Sequence, residues 1–495
     1  MSNLSELLPT GGGQNAVDFV ATGTLSSGQT VVLKTDGTVE AVAETATPAI
    51  AIPQGSAAAF NVGTTEFMAI AYNPSVAGQF VVVYRDVSNS NYFTANLGTV
   101  SGTSITFGSD VIILSSDCVY AQVSFDPNTA NKFVVACANQ SNSNQGTVFV
   151  GTVSGSTLSF GSAQIFNSGN TSIIYGVAYD PNAANKFVVA YYDGANSNYG
   201  TAIVGTVSGT SISYGSASVF SSSYSYGWGS PSFDPNTSSK FVISFRDAAT
   251  SPAYGGAAIV GTISGTSLSF GTKATFTTSG TTNNVVSSYD PNTANKFVAV
   301  YKDAGTGYGT AIVGTVSGTS ITYGSAVTIN AESSMVVLNF DPSVANQFVV
   351  AYGTSAKIGT VSGTSVSFSS AYTFASNAVA TSQGKIGISF DDAADDGRFV
   401  IEYGTAAGAS SILCDLTGTT NTTNSADFIG ITAEAISDTA TGAVNVYGGI
   451  NEAQTGLTIG SDYYVQADGS LSTATSTVKA GQAISATTIN MMDLT

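Results

Sequence analysis

The chain has 495 residues, with 13 Lys plus Arg against 31 Asp plus Glu, a net charge of −18 and no His. Charged residues make up only 9% of it, against about 25% in an ordinary globular protein. These figures exclude a nucleic-acid partner, which needs basic patches to neutralise phosphate, and every chemistry that runs on imidazole, from Ser-His-Asp catalysis to His-ligated zinc; paired carboxylates stay open.

The opening MSNLSELLPTGGGQNAV has neither a basic n-region nor an apolar h-region, so it does not read as a signal peptide. No stretch approaches 18 continuous apolar residues, so no membrane span is expected. Within residues 1–45, the run from Leu25 to Gly37 alternates and ends in Asp-Gly, a hairpin signal. The segment AIAIPQGSAAAF, ending at Phe60, has the pattern of SISYGSASVF, Ser211 to Phe220, which lies in a later repeat.

From Asn73 onward two markers recur in phase. AYNPSVAGQF returns as SFDPNTANKF, AYDPNAANKF, SFDPNTSSKF, SYDPNTANKF, NFDPSVANQF and a degenerate SFDDAADDGRF. Their leading residues Asn73, Asp126, Asp180, Asp234, Asp290, Asp341 and Asp391 are spaced by 53, 54, 54, 56, 51 and 50 residues. GTVSGTS or a close variant starts at Gly98, Gly151, Gly205, Gly261, Gly314 and Gly359, and the seventh copy keeps only Leu416-Thr417-Gly418. Each unit reads as four strands: a short alternating one, an Asp-Pro turn, a run such as Phe133–Ala136, a variable loop, a third strand, a Ser-Gly-Thr turn and a fourth. Seven such units of about 50 residues predict an all-β, seven-bladed β-propeller, with a β-helix as the rival. The seventh unit stops after its third strand, so residues 46–60 are expected to close blade seven. The propeller is then 46–418, inserted into a small β domain made of 1–45 and 419–495. The run from Leu457 to Gly469 matches that from Leu25 to Gly37, and both end in Asp-Gly.

Cys118, Cys137 and Cys414 are an odd, widely spaced set and are expected as small buried apolar residues, with no disulfide framework and no metal cluster. The Asp-Pro and Ser-Gly-Thr turns fall on one face of the ring and barely vary. The loops after strand two and the links between blades fall on the other face and differ from blade to blade, which makes that face the expected place for recognition. One link carries Tyr224, Tyr226 and Trp228, the chain's single Trp. Such aromatics suit sugar rings or protein hot spots, though packing against a neighbouring blade is the commoner use. Tyr92, Tyr199, Tyr254 and Tyr308 recur before strand three, as an aromatic ring or as hairpin-positioning residues. Asp86, Asp193, Asp247 and Asp303 end strand two, as a carboxylate ring for a cation or as loop caps. Lys132, Lys186, Lys240, Lys296 and Arg398 share one repeat position and are expected in surface ion pairs. Asp391, Asp392, Asp395 and Asp396 could hold Ca²⁺ or form a solvated turn. No other cofactor is expected.

The opening MSNLSELLP with GGGQNAVDFVATGTLSSGQTVVLKTDGTVEAV resembles the start of structural proteins of marine tailed bacteriophages. The closing FIGITAEAISDTATGAVNVYGGINE, GLTIGSDYYVQADGSLST and VKAGQAISATTI are similar to a terminal module of phage tail-fibre and related virion proteins. The resemblance covers about 120 residues at the two ends, and no catalytic residues carry over from it. It implies a virion location and a non-enzymatic structural role as an outward-facing fibre or appendage. The terminal β domain would contact other virion proteins, and the propeller a host-surface glycan or protein, in a symmetric homo-oligomer. The alternatives are a capsid decoration protein, a polysaccharide depolymerase using two carboxylates, and a bacterial surface adhesin, which would need an export signal.

Overall fold

The computed structural model describes residues 15–51, 55–224, 229–249, 254–277, 282–330, 335–376, 386–394, 397–405 and 408–491. The chain divides into two units, Pro48–Gly418 and a second made of Met1–Thr47 with Thr419–Thr495. Among the described residues the regular structure is β-strand with three one-turn 3₁₀ segments, and no helix is long and apolar enough to cross a membrane.

In the larger unit each sequence repeat folds as one antiparallel sheet. In the third repeat, the end of Gln164–Tyr179 pairs with Lys186–Asp193, which pairs with Tyr199–Ser208. A turn through Gly209, at φ 66°, brings Ser211–Tyr214 back along one half of that third strand, and Ser218–Tyr224 covers the other half. The expected single fourth strand is therefore two pieces, broken at 215–217. After the first and second repeats the outer piece runs on without a break into the next first strand, as in Val111–Phe125.

The first strands stand side by side in chain order, and the seventh, Ile386–Phe390, lies beside the first, Thr65–Tyr72. Between each pair of neighbouring repeats lies one apolar cluster built from both. The last of these joins Phe80, Val82 and Tyr84 of the first repeat to Val400, Ala409 and Leu413 of the seventh. A sheet that is apolar on both faces and flanked by its own near-copies stacks radially, and the result is a β-propeller. The seventh repeat lacks its own fourth strand. Its third, Gly408–Thr423, takes Glu44–Ala51 and Ala58–Asn61 along the open edge, with Ala59 opposite Ser410. Phe60 is 5% exposed, with its ring 5.3 Å from that of Tyr84 and 5.5 Å from that of Phe107.

The two sequence markers meet across each sheet. Phe187 is the register partner of Gly205, and its ring lies so close over the glycine that a β-carbon there would fall inside it. The same holds for Phe80 with Gly98, Phe133 with Gly151, Phe241 with Gly261, Phe297 with Gly314 and Phe348 with Gly359. In the seventh repeat Cys414 stands opposite Phe399.

The smaller unit interleaves the two ends of the chain. One sheet has the order Ala16–Val20, Thr441–Val446, Phe428–Thr432, Thr30–Leu33, Val39–Ala41, and the other is built from Ile450–Asn451, Ile489–Asn490, Lys479–Ala483, Asp462–Val465 and Leu471–Ser472. The two Asp-Gly turns have one chemistry. Gly37 N–H donates to Lys34 O and Gly469 N–H to Gln466 O, both at 3.0 Å. Asp36 Oδ1 accepts from Thr38 N and Asp468 Oδ1 from Ser470 N.

The cysteines depart from expectation. All three are buried, but Cys118 and Cys137 form a disulfide with Cα atoms 5.8 Å apart. Strand register puts Cys118 opposite Asn139, two residues along from Cys137 on the same face, with a bulge following between Val119 and Gln122. Wide spacing in sequence is one hairpin in space. Cys414 stays free, and burial together with nearby Asp415 pushes its thiol up to about 12, which leaves it no nucleophilic character near neutrality.

Candidate functional site

The two ends of the propeller differ in chemistry. At the turn end most repeats are fastened to the next. Asp126 Oδ1 accepts from Asn128 N at 2.9 Å and caps its own turn, while Oδ2 accepts from Asn185 N of the next repeat at 2.7 Å. Asp234 with Asn295, and Asp290 with Asn346, repeat this second bond at 3.0 and 2.8 Å. Asn185, Asn295 and Asn346 sit at φ 61–64°, a left-handed conformation that Asn tolerates, so the Asn before Lys-Phe or Gln-Phe has a backbone cause. Asn128, Asn182, Asn236 and Asn292 each donate to the carbonyl of the following repeat's proline, at 2.9–3.1 Å.

The repeated basic position joins the same system at three of its five members, Lys132, Lys186 and Lys296, and there corrects the expected surface ion pairs. Lys132, Lys186 and Lys296 donate to the carbonyls of Gly209, Gly265 and Gly363, in the Ser-Gly-Thr turn of the next repeat. Gln79 does the same to Gly155 at 3.1 Å. The position needs a long donor rather than a charge. Asp126→Ala is expected to lower stability by about 2 kcal/mol, since two backbone N–H groups lose a charged acceptor; urea denaturation of the variant checks it.

Asp391 works at the ring junction. Its Oδ2 accepts from Gly78 N of the first repeat at 2.7 Å, the bond that Asp126 makes to Asn185. Asp392 replaces the proline of the other turns and, with Pro181, Pro235, Pro291 and Pro342, lines a cavity where the turns converge. It is open to water there yet ringed by protein, and this enclosure, followed by the charges of Asp391 and Asp341, pushes its carboxyl up to about 6. Asp395 and Asp396 lie outside the described residues. Among the described residues no three His, Cys, Asp or Glu side chains stand close enough to share a metal ion.

At the loop end the repeated aspartates serve the local backbone. Asp86, Asp247 and Asp303 accept from Asn89 N, Ala249 N and Gly305 N at 2.9–3.1 Å. Asp193 accepts from Asn167 Nδ2 at 3.2 Å, and Asp247 also accepts from Lys273 and Ser223. The tyrosines divide by repeat. Tyr92 and Tyr199 are half-buried, whereas Tyr254 and Tyr308, in the fourth and fifth repeats, are 37% and 39% exposed. The Arg246 guanidinium carbon lies 4.6 Å from the centre of the Tyr254 ring, a cation–π stack at the surface. The equivalent Arg85 of the first repeat is instead held by Glu66 at 2.6 Å and Asp117 at 2.7 Å. Tyr224 ends the strand Ser218–Tyr224 as the register partner of Tyr199. Its side chain, and all of Tyr226 and Trp228, lie outside the described residues. The first strands enclose a mainly apolar cavity of about 180 Å³, lined among others by Met68, Ile70, Met335, Val337, Ile386 and Gly387. Sequence reasoning missed the repeat-to-repeat clamps and the Arg246–Tyr254 stack; the neighbouring Arg-Asp pairs of strand two were the available signal for the latter.

No protein-family model and no curated protein matches the chain. Among solved structures, the BP39L lectin of Burkholderia pseudomallei is similar with a TM-score of 0.54 at 12% identity, over 73% of this chain and 98% of the lectin. Sqt1 of Saccharomyces cerevisiae follows with a TM-score of 0.47 at 10% identity, over 74% and 99%. The β-propeller domain of the Trilobed protease from Pyrococcus furiosus has a TM-score of 0.39 at 9% identity, over 72% and 98%. At such identities the likeness is one of fold: the larger unit is a β-propeller.

Proposed function

We propose that the chain is a non-enzymatic attachment protein of a virion, mounted through the smaller unit and presenting the loop end of its propeller to a glycan or protein on the host surface. The observation that carries the recognition half is the asymmetry of the two ends. The turn end spends its side chains on the neighbouring repeat, while the loop end leaves Tyr254, stacked by Arg246, and Tyr308 open to solvent. An aromatic face beside a guanidinium offers a sugar ring both stacking and hydrogen-bond donors. The same fold in a lectin of Burkholderia pseudomallei supports carbohydrate as the first ligand class to test, as an analogy of fold. The virion half rests on the resemblance of the two chain ends to phage structural proteins.

The purified chain should bind host cells and host-surface polysaccharide. Tyr254→Ala should weaken that binding about tenfold, as loss of an interface aromatic commonly does, with its melting temperature unchanged because the side chain lies at the surface. Binding equal to wild type in Tyr254→Ala and Tyr308→Ala would remove the loop end as the recognition face. Shortening of the polysaccharide on incubation would replace the attachment reading with that of a depolymerase.

A further inference from the structure

Glu402 breaks the pattern of its repeat position, which elsewhere holds Val83, Ala136, Ala190, Ser244, Val300 and Ala351. It lies on the second strand of the seventh repeat, between Gly387 and Ser411 in the register. The residue is fully buried, and among the described residues neither carboxyl oxygen has a hydrogen-bond partner. Ser411 Oγ, opposite, has none either. Gly387 provides the room, since a β-carbon there would collide with Glu402 Oε1 and come within 3.0 Å of Ile70 of the first repeat. The flanking residues on the same face, Val400 and Leu413, belong to the apolar cluster that joins the seventh repeat to the first.

We infer that Glu402 is a pH-sensitive latch: as a neutral acid it fills the junction between the seventh and first repeats, and its ionisation loosens that junction. The strands packed on it offer no compensating charge. Ile386–Phe390 has no ionisable residue. On Thr65–Tyr72 the one charge, Glu66, is held by Arg85 at 2.6 Å. Farther along its own and the third strand, Arg398 stands opposite Asp415. The tyrosines of the junction cluster are Tyr72 and Tyr84, and Tyr84 donates to Asp110 at 2.9 Å. Burial alone holds the Glu402 carboxyl well above its ordinary 4.5, because an unpaired charge in an apolar site loses its hydration.

The sign follows from linkage. Above 4.5 the unfolded chain releases this proton while the folded one keeps it, so stability conferred at low pH declines as pH rises toward the folded value. The decline is at most about tenfold in the folding constant per pH unit. Melting of the full chain between pH 5 and 9 should therefore show stability falling with pH, and Glu402→Gln should flatten that slope. Asp392→Asn, at the other raised carboxyl, should leave the part of the slope due to Glu402 in place. Hydrogen exchange at pH 9 should rise first in Thr65–Tyr72, Ile386–Phe390 and Arg398–Thr405, and Glu402→Val, which places there the residue of the first and fifth repeats, should suppress that rise. A slope between pH 5 and 9 as steep in Glu402→Gln as in the wild type, or exchange that rises evenly over all seven repeats, would overturn the latch. If Glu402→Gln does not fold, the exchange pattern of the wild type and of Glu402→Val decides alone.

Discussion

A propeller unit of residues 62–418 is expected to be less stable than one of residues 48–418 by more than about 5 kcal/mol. The missing piece carries the strand Ala58–Asn61, which covers the outer edge of Gly408–Thr423. Without it that edge keeps unpaired N–H and C=O groups and becomes a template for association. It also carries Phe60, buried against Tyr84 and Phe107, whose truncation to Ala alone should cost about 3–5 kcal/mol. Urea denaturation of the two fragments gives the difference directly, and Phe60→Ala in the full chain apportions it. Equal stability of the two would mean that the ring closes by some other contact.

That strand was legible in the sequence because it copies Ser211 to Phe220 and because the seventh repeat ends one strand short. The Asp-Gly hairpins of the two chain ends were legible for a similar reason: a tight turn is written in its own four residues. The clamps were not. Asp126 caps its own turn, and a local reading stops there; its second oxygen serves Asn185, 59 residues away. Lys132 reads as a surface charge until Gly209, 77 residues on, is seen to accept from it. The Cys118–Cys137 bridge needs the strand register, which no spacing rule supplies. The candidate site was half legible. The loop end could be picked out by comparing repeats, but which of its tyrosines stand open depends on packing that differs between repeats of similar sequence.

The seventh repeat departs from the others at Asp392, Arg398, Glu402 and Cys414, and its position explains why. Repeats three to five each lie between near-copies of themselves, so similar contacts serve them and the sequence stays similar. The seventh faces the first, which carries Asn73, Gly78 and Gln79 where its followers have Asp, Asn and Lys or their equivalents. At that junction the clamp keeps its aspartate but meets the left-handed Gly78 instead of an asparagine. A junction with its own residues can acquire a property, such as the response of Glu402 to pH, that a uniform ring would express at every seam.

The pairing of Phe187 with Gly205 leads to the largest effect expected of a single added side chain. Strand propensity alone would favour valine at position 205, between Val204 and Thr206 in the middle of a strand. Gly205→Val should nonetheless lower stability by about 3 kcal/mol, the upper part of the usual overpacking range, because the new side chain occupies the volume of the Phe187 ring. That ring is fully buried and packs tilted against Tyr179, with the ring centres 5.6 Å apart, so it cannot yield without disturbing the first strand. A cycle with Phe187→Ala tests the cause: with the ring removed, Gly205→Val should become nearly neutral, a coupling of about 2–3 kcal/mol. Equal cost in both backgrounds would place the damage in the backbone instead. The seventh repeat has made a milder form of this exchange, with Cys414 opposite Phe399. Gly205→Cys in the third repeat should therefore cost more than Cys414→Gly in the seventh, since the first drives new atoms into the Phe187 ring and the second only leaves a small gap.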